Sequence, residues 1–99
     1  SFAVQLMTPE ILRLLAKYPS HLSLVIQALW HDAQGDWEAA HNCAQEDHSS
    51  LGSWMHAYLH RKEGDIGNAR YWYSQAGRSV FAGTLEQEWQ ALAEKATST

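Results

Sequence analysis

One stretch of the sequence constrains the fold more than any other: two helix-forming runs that are separated by a Gly-Asp pair. The stretch extends from Ala57 to Gly77, with Gly64 and Asp65 between the two runs. Glycine takes a positive φ at low cost where a helix ends, and aspartate accepts hydrogen bonds from the first backbone N–H groups of the next helix. The stretch therefore predicts a helical hairpin that bends at Gly64.

A second copy of this pattern lies earlier in the chain. Gly35 and Asp36 form the same pair, and in both copies a histidine precedes the glycine by one helical turn. The shared residues are those that a turn between helices needs, which gives the match its weight. We therefore expect two hairpins that stack on one core, at about 20–46 and about 53–77, with a polar loop over about 45–52 between them.

Helix signals also flank the two hairpins. Pro9 follows a threonine cap and predicts an N-terminal helix that ends before Pro19. A capping box begins at Thr84 and predicts a C-terminal helix over about 84–95. Together with the hairpins, these signals predict an all-α fold of about six helices. The chain has 99 residues, so we expect one helical domain over 1–99.

The composition argues against several classes of function. The formal net charge is −4 and Lys and Arg number seven, whereas a nucleic-acid partner needs a basic face. No apolar run reaches the length of a membrane span. The single cysteine, Cys43, cannot form an internal disulfide. We therefore expect a reduced, cytoplasmic protein that uses no cofactor and binds neither nucleic acid nor membrane.

The second hairpin resembles a known repeat. The residues Ala57, Gly64, Ala69, Tyr73 and Ala76, set around a Gly-Asp turn, are similar to those of tetratricopeptide and Sel1-like repeats. Two blocks, GDWEAAH and HAYLHRKEGD followed by YWY, also resemble a group of small uncharacterised hypothetical proteins. Both resemblances imply stacked helical hairpins, and neither implies an activity.

Aromatic residues point to a binding surface. The chain has five Trp and four Tyr, and Tyr71, Trp72 and Tyr73 are consecutive. Successive residues of a helix point about 100° apart, so these three rings cannot all face one core. Exposed aromatic rings are good contacts for a partner. We expect a non-enzymatic binding module whose aromatic-rich groove takes a peptide, a partner protein or a second copy of the chain. The candidate binding residues are Trp37, Trp54, His56, His60, Arg61, Arg70, Tyr71 and Trp72.

Histidines support an alternative function. His56 and His60 are one helical turn apart, a spacing at which two imidazoles on one helix face can bind the same transition metal. His31 has the position of His60 in the first hairpin and is the third candidate ligand. A fourth ligand would be His41, Glu63 or Asp65. This pattern predicts a protein that binds a metal or small molecule, with hydrolysis as one activity. The opposing interpretation is that these histidines only pack between helices and bond to a carbonyl or a carboxylate.

Other catalytic signals are missing from the sequence. The serines and Cys43 lie in no nucleophile elbow, glycine-rich phosphate loop or oxyanion motif. Arg61, Arg70 and Arg78 are candidates for an anion-binding patch near His60, with ordinary surface ion pairs as the alternative. We therefore do not expect an enzyme on the basis of motifs.

Overall fold

The computed structural model describes residues 8–98, and within that range it has six α-helices and no strand. The helices are α1 (Pro9–Leu14), α2 (Leu24–Ala33), α3 (Trp37–Glu46), α4 (Ser50–Glu63), α5 (Ile66–Gln75) and α6 (Leu85–Thr97). The predicted all-α class and the number of helices are confirmed. No helix in the described range is long and apolar enough to cross a membrane.

The helices form three layers, with α2 and α4 in the middle. Helix α3 packs on α2 and on α4, and α5 packs on α4. Helix α6 packs on α2 and α4 from the other side, beside the short α1. Because α4 has neighbours all round, every residue from Gly52 to His60 is buried. A polar side chain on this part of α4 therefore needs a partner inside the protein.

Both Gly-Asp pairs form the turns that the sequence predicts. The φ angles of Gly35 and Gly64 are 84° and 91°, in the left-handed region that glycine tolerates best. The side chains of Asp36 and Asp65 accept hydrogen bonds from backbone N–H groups in the first turn of α3 and of α5. Each pair therefore ends one helix and starts the next.

The connection between the hairpins is shorter than the polar loop expected over 45–52. Helix α3 continues to Glu46, and α4 starts at Ser50 after the cap Ser49. Gly52, a turn signal in the sequence, lies inside α4, where a Cβ would come within 2.1 Å of the carbonyl oxygen of Asp47. This glycine is needed because the chain passes close to it, and its backbone is helical.

Helix α1 is also shorter than expected, since it ends at Leu14 instead of continuing to Pro19. Leu15 is extended, with φ −63° and ψ 122°. Its carbonyl oxygen accepts a hydrogen bond of 2.9 Å from the indole N–H of Trp30. A contact with α2 therefore ends the helix before the proline does.

A buried carboxylate joins α6 to the second hairpin. Glu88 is fully buried, and its side chain accepts hydrogen bonds from Trp54 Nε1 at 3.0 Å and Tyr73 Oη at 2.5 Å. Arg61 Nη1 lies 2.7 Å from the other carboxylate oxygen. A buried charge is tolerated when it is paired and hydrogen-bonded in this way.

A second buried carboxylate, Asp32 of α2, is bound in the same manner. It accepts hydrogen bonds from Tyr58 Oη at 2.5 Å and from Lys62 Nζ at 2.7 Å.

Candidate metal centre

Three histidines from two helices meet between α3 and α4. His41 lies on α3, whereas His56 and His60 lie on successive turns of α4. Each offers a ring nitrogen, and the three nitrogens lie within 4.8 Å of one another. The centroid of the His41 ring is 4.6 Å from that of His56 and 5.2 Å from that of His60. These three residues are called the histidine cluster below.

Small residues bring the two helices close enough for this arrangement. Ala40 and Ala44 of α3 are almost fully buried, and the α3 backbone approaches α4 over them. His41 follows Ala40 and therefore stands at the edge of the same contact. His56 and His60, one turn apart on α4, face it.

Two tryptophans hold the imidazole rings in place. The ring of Trp37 stacks on His41, with centroids 4.9 Å apart and planes at 10°. Trp72 of α5 stacks on His56, with centroids 3.9 Å apart and planes at 15°. The indole N–H of Trp37 donates to the carbonyl oxygen of Leu59 at 2.8 Å, which fixes its own orientation. The imidazole faces are thus packed, and their nitrogen-bearing edges meet.

The hydrogen bonds of the cluster limit which ring nitrogens carry a proton. His41 Nε2 lies 2.9 Å from His56 Nε2, so one of these nitrogens donates and the other accepts. His60 Nδ1 lies 2.7 Å from Glu63 Oε2. A carboxylate accepts at that distance, so Nδ1 carries a proton and the neutral ring keeps its lone pair on Nε2. This is the pairing by which carboxylates orient histidines that bind metal.

The environment keeps His41 and His56 uncharged near neutral pH. Burial, together with the neighbouring His41 and His60, lowers the pKa of His56 to about 4. Burial and the proximity of His60 also lower the pKa of His41. Neutral imidazole is the form that binds a metal ion, because the ion takes the lone pair that a proton would occupy.

The cluster lies where the two outer helices pack on α4. Helices α3 and α5 both contact α4. His56 and His60 are buried on α4, and the half-buried rings of Trp37 and His41 from α3 and of Trp72 from α5 pack against them. Four of the eight candidate binding residues are brought together here, namely Trp37, His56, His60 and Trp72.

The other four candidates lie elsewhere. Trp54 and Arg61 are on the α6 side of α4, where both contact Glu88. Arg70 and Tyr71 are exposed on α5, and the Tyr71 and Trp72 rings meet edge to face with their centroids 5.1 Å apart. Tyr71 therefore extends the aromatic contact of Trp72 towards the surface.

The arginines do not gather beside His60 as an anion site would require. Arg61 is occupied by Glu88, and the guanidinium of Arg78 lies 3.6 Å from the ring centroid of Trp54. Both therefore belong to the α6 side of the molecule.

His31, the third ligand expected from the repeat, does not join the cluster. Its ring lies against Tyr18 and Trp30, at centroid distances of 4.8 Å and 5.3 Å. The reason is the position of His31 in the repeat. His60 packs against α3, which belongs to the hairpin before it, but in the described chain no hairpin precedes α2. His31 therefore contacts the segment after α1.

The third member of the cluster is His41, which the sequence offered only as one choice of fourth ligand. The other two choices, Glu63 and Asp65, also lie beside His60: the three residues offer ligand atoms within 4.8 Å of one another. Glu63 bonds to His60, and Asp65 caps α5.

Three imidazoles select a class of metal. Nitrogen donors suit zinc, copper, nickel and cobalt, whereas magnesium and calcium prefer oxygen. Nitrogens at about 2.0–2.1 Å from a tetrahedral ion lie about 3.3 Å apart. The His41 and His56 nitrogens are slightly closer than this, and no pair in the cluster exceeds 4.8 Å. Small side-chain adjustments would therefore create a metal site.

Comparisons with known proteins add nothing to this geometry. A scan against protein-family models, a search of curated proteins and a search of solved structures each found no match. The similarity to tetratricopeptide and Sel1-like repeats therefore stays a prediction from the residues, and function is argued from the site alone.

Proposed function

We propose that this protein binds a divalent transition-metal ion, zinc in the first instance, through His41, His56 and His60. The observation that carries the proposal is the convergence of three ring nitrogens within 4.8 Å. Two helices supply them, so the folded state presents a site that the unfolded chain lacks.

The surroundings of the cluster support ligation over simple packing. Histidines that only pack between helices typically bond to a carbonyl or a carboxylate. His60 has such a bond, to Glu63, but His41 and His56 bond to each other at 2.9 Å, and an ion would replace that bond with two stronger ones. Their lowered pKa values mean that little proton displacement opposes the ion at neutral pH.

Glu63 is the carboxylate partner that would orient His60 at the proposed site. By accepting a hydrogen bond from Nδ1–H, it fixes the tautomer in which Nε2 keeps its lone pair. Its own side chain is 38% exposed, so it adds negative charge near the ion without the cost of a buried carboxylate.

The test is a zinc titration of chelator-treated protein, followed by calorimetry and by thermal unfolding. An ion at a concentration of 100 Kd adds about 2.7 kcal/mol of stability. For a chain of this length, that gain raises Tm by on the order of 10 °C. His41→Gln should abolish both responses, whereas His48→Gln, at an exposed histidine outside the cluster, should preserve them. Equal zinc binding by the two variants would contradict the proposal.

A second candidate function is the binding module predicted from the aromatic content. Its support is the exposure of apolar side chains on the outer helix α5, where Tyr71 is 55% exposed and Ile66 is 43% exposed. A protein, a peptide or a second copy of the chain would cover these side chains. Sedimentation over a range of concentrations tests self-association, which Tyr71→Ser should weaken. A monomer at every concentration would exclude the homodimer.

A further inference from the structure

We infer that a second site, separate from the histidine cluster, binds a small organic molecule that carries one carboxylate group. The site is a cavity of about 480 Å³, lined by residues of α1, α2, α4 and α6. The described residues that line it include no member of the histidine cluster. A cavity of this size typically takes a small ligand when a few polar groups converge in it. The inference therefore goes beyond the proposed metal centre and does not depend on it.

Four charged side chains line the cavity as two ion pairs. Lys62 Nζ of α4 lies 2.7 Å from Asp32 Oδ1 of α2. Arg13 Nη2 of α1 lies 2.5 Å from Glu86 Oε1 of α6. Each pair joins two of the helices that enclose the cavity. A ligand in the cavity would therefore meet two cationic side chains, each with a carboxylate beside it.

The two ion pairs differ in how easily they open. The Asp32 side chain is 3% exposed and also accepts a hydrogen bond from Tyr58 Oη at 2.5 Å, so it stays with Lys62. The Glu86 side chain is 75% exposed, and an exposed ion pair contributes little to stability. Glu86 can therefore leave Arg13 at low cost, and the carboxylate of a ligand can take its place.

Arg13 keeps its position when Glu86 leaves. The centre of its guanidinium lies 3.7 Å from a ring centroid of Trp89, and the indole N–H of Trp89 donates to the carbonyl oxygen of Leu29 at 3.2 Å. A guanidinium that lies on an aromatic face keeps its N–H groups at its edge, where they can bind a carboxylate through two parallel hydrogen bonds. The contact with Glu86 shows that this edge accepts a carboxylate.

Charge favours a single carboxylate over a doubly charged anion. Once Glu86 has turned away, Arg13 and Lys62 give the cavity two positive charges and Asp32 gives it one negative charge, which leaves one positive charge. A monocarboxylate neutralises that charge, whereas a phosphate dianion would leave a negative charge near the buried Asp32. Lys62 Nζ has three N–H groups, so it can also donate to an oxygen of the ligand.

The experiment is an NMR titration with butyrate, followed through the indole N–H signal of Trp89 and the backbone N–H signal of Glu86. Butylammonium, a cation of similar size, is the control ligand. We expect butyrate to shift both signals in a saturable way and butylammonium to shift neither. Glu86→Gln should tighten butyrate binding about two- to fivefold, because it removes the competing carboxylate from Arg13.

Two further variants complete the test. Arg13→Gln should weaken butyrate binding by at least about tenfold, since the charged hydrogen bonds are lost. Glu46→Gln, an exposed change of the same charge at the end of α3, should leave the affinity unchanged. Thermal unfolding of each variant checks that its fold is intact. The tighter binding expected of Glu86→Gln cannot arise from a loss of structure.

Each contrary outcome overturns a stated part of the inference. Absence of butyrate binding, or equal binding of butyrate and butylammonium, overturns the anion site. Tighter binding of inorganic phosphate than of butyrate overturns the single carboxylate. Equal affinities of the native protein and Glu86→Gln mean that the ligand does not replace Glu86. His41→Gln should bind butyrate as the native protein does, so failure of the metal centre and failure of this site are measured separately.

Discussion

His41 Nε2 lies 2.9 Å from His56 Nε2, although the two residues belong to different helices. The distance suits a hydrogen bond with one shared proton, and it is within a few tenths of an ångström of the separation of two imidazole ligands on one ion. For both Nε2 atoms to bind one ion, the ring that donates this hydrogen bond would carry its proton on Nδ1 instead, and the ion would take the place of the hydrogen bond.

The metal-free protein should lose stability in acid through its histidines. The pKa of His56 in the folded state is about 4, and that of His41 is also lowered, whereas an unfolded histidine titrates near 6.5. Between about pH 4 and about pH 6.5 the unfolded chain binds more protons, so stability is complete above that window and is lost as pH falls through it. His56 alone should account for on the order of 3 kcal/mol.

Urea unfolding at a series of pH values, with chelator present, measures this loss. Other groups also titrate below pH 5, so the comparison is with His56→Gln, whose stability should vary less across the window. Parallel pH profiles for the two proteins would show that His56 is not the cause.

Glu63→Gln should weaken zinc binding without unfolding the protein. The amide oxygen can still accept from His60 Nδ1–H, but it lacks the negative charge that strengthens this hydrogen bond. Loss of such a carboxylate partner typically reduces metal affinity about 10- to 100-fold. Calorimetry of zinc binding measures the change. Glu46→Gln, an exposed change at the end of α3, is the matched control. If both variants bind zinc as the native protein does, Glu63 does not position His60.

Arg61→Met should be among the most destabilising single changes in the chain. It leaves the fully buried Glu88 carboxylate without its cation, and an uncompensated buried charge costs about 3–5 kcal/mol. Arg70→Met, on the exposed side of α5, should alter stability by about 0.5 kcal/mol or less. Urea unfolding distinguishes the two. Equal stabilities would mean that Glu88 does not depend on Arg61.

Two glycines of the second hairpin should respond in opposite directions to the same change. Gly64→Ala places a side chain at φ 91°, which costs about 1–2 kcal/mol even though the added Cβ would meet no atom within 4 Å. Gly67→Ala, inside α5 and equally open, should stabilise by about 0.5–1 kcal/mol through helix propensity. Thermal unfolding of both variants checks the pair, and loss of stability in both would contradict the assignment of Gly67 to an unstrained helix.

The sequence predicts the scaffold of this protein better than the site that it holds. Gly64 and Asp65 encode their turn locally, because a positive φ and a cap need no distant contact. Gly52 misleads for the opposite reason: its role depends on the approach of Asp47, which only the folded chain reveals.

The histidine cluster also has a part that local sequence predicts and a part that depends on distant contacts. His56 and His60 are predictable as a pair since they lie one turn apart on one helix. The third member depends on which face of α3 packs against α4. The small buried Ala40 beside His41 was the available signal, and the internal repeat pointed to His31 instead.

The most direct test of the account is anomalous diffraction at the zinc absorption edge, from crystals of the protein loaded with one equivalent of zinc. We predict a single strong peak between α3 and α4, with nitrogens of His41, His56 and His60 at about 2.0–2.1 Å. A zinc peak elsewhere, with the hydrogen bond between His41 and His56 still in place, would contradict it.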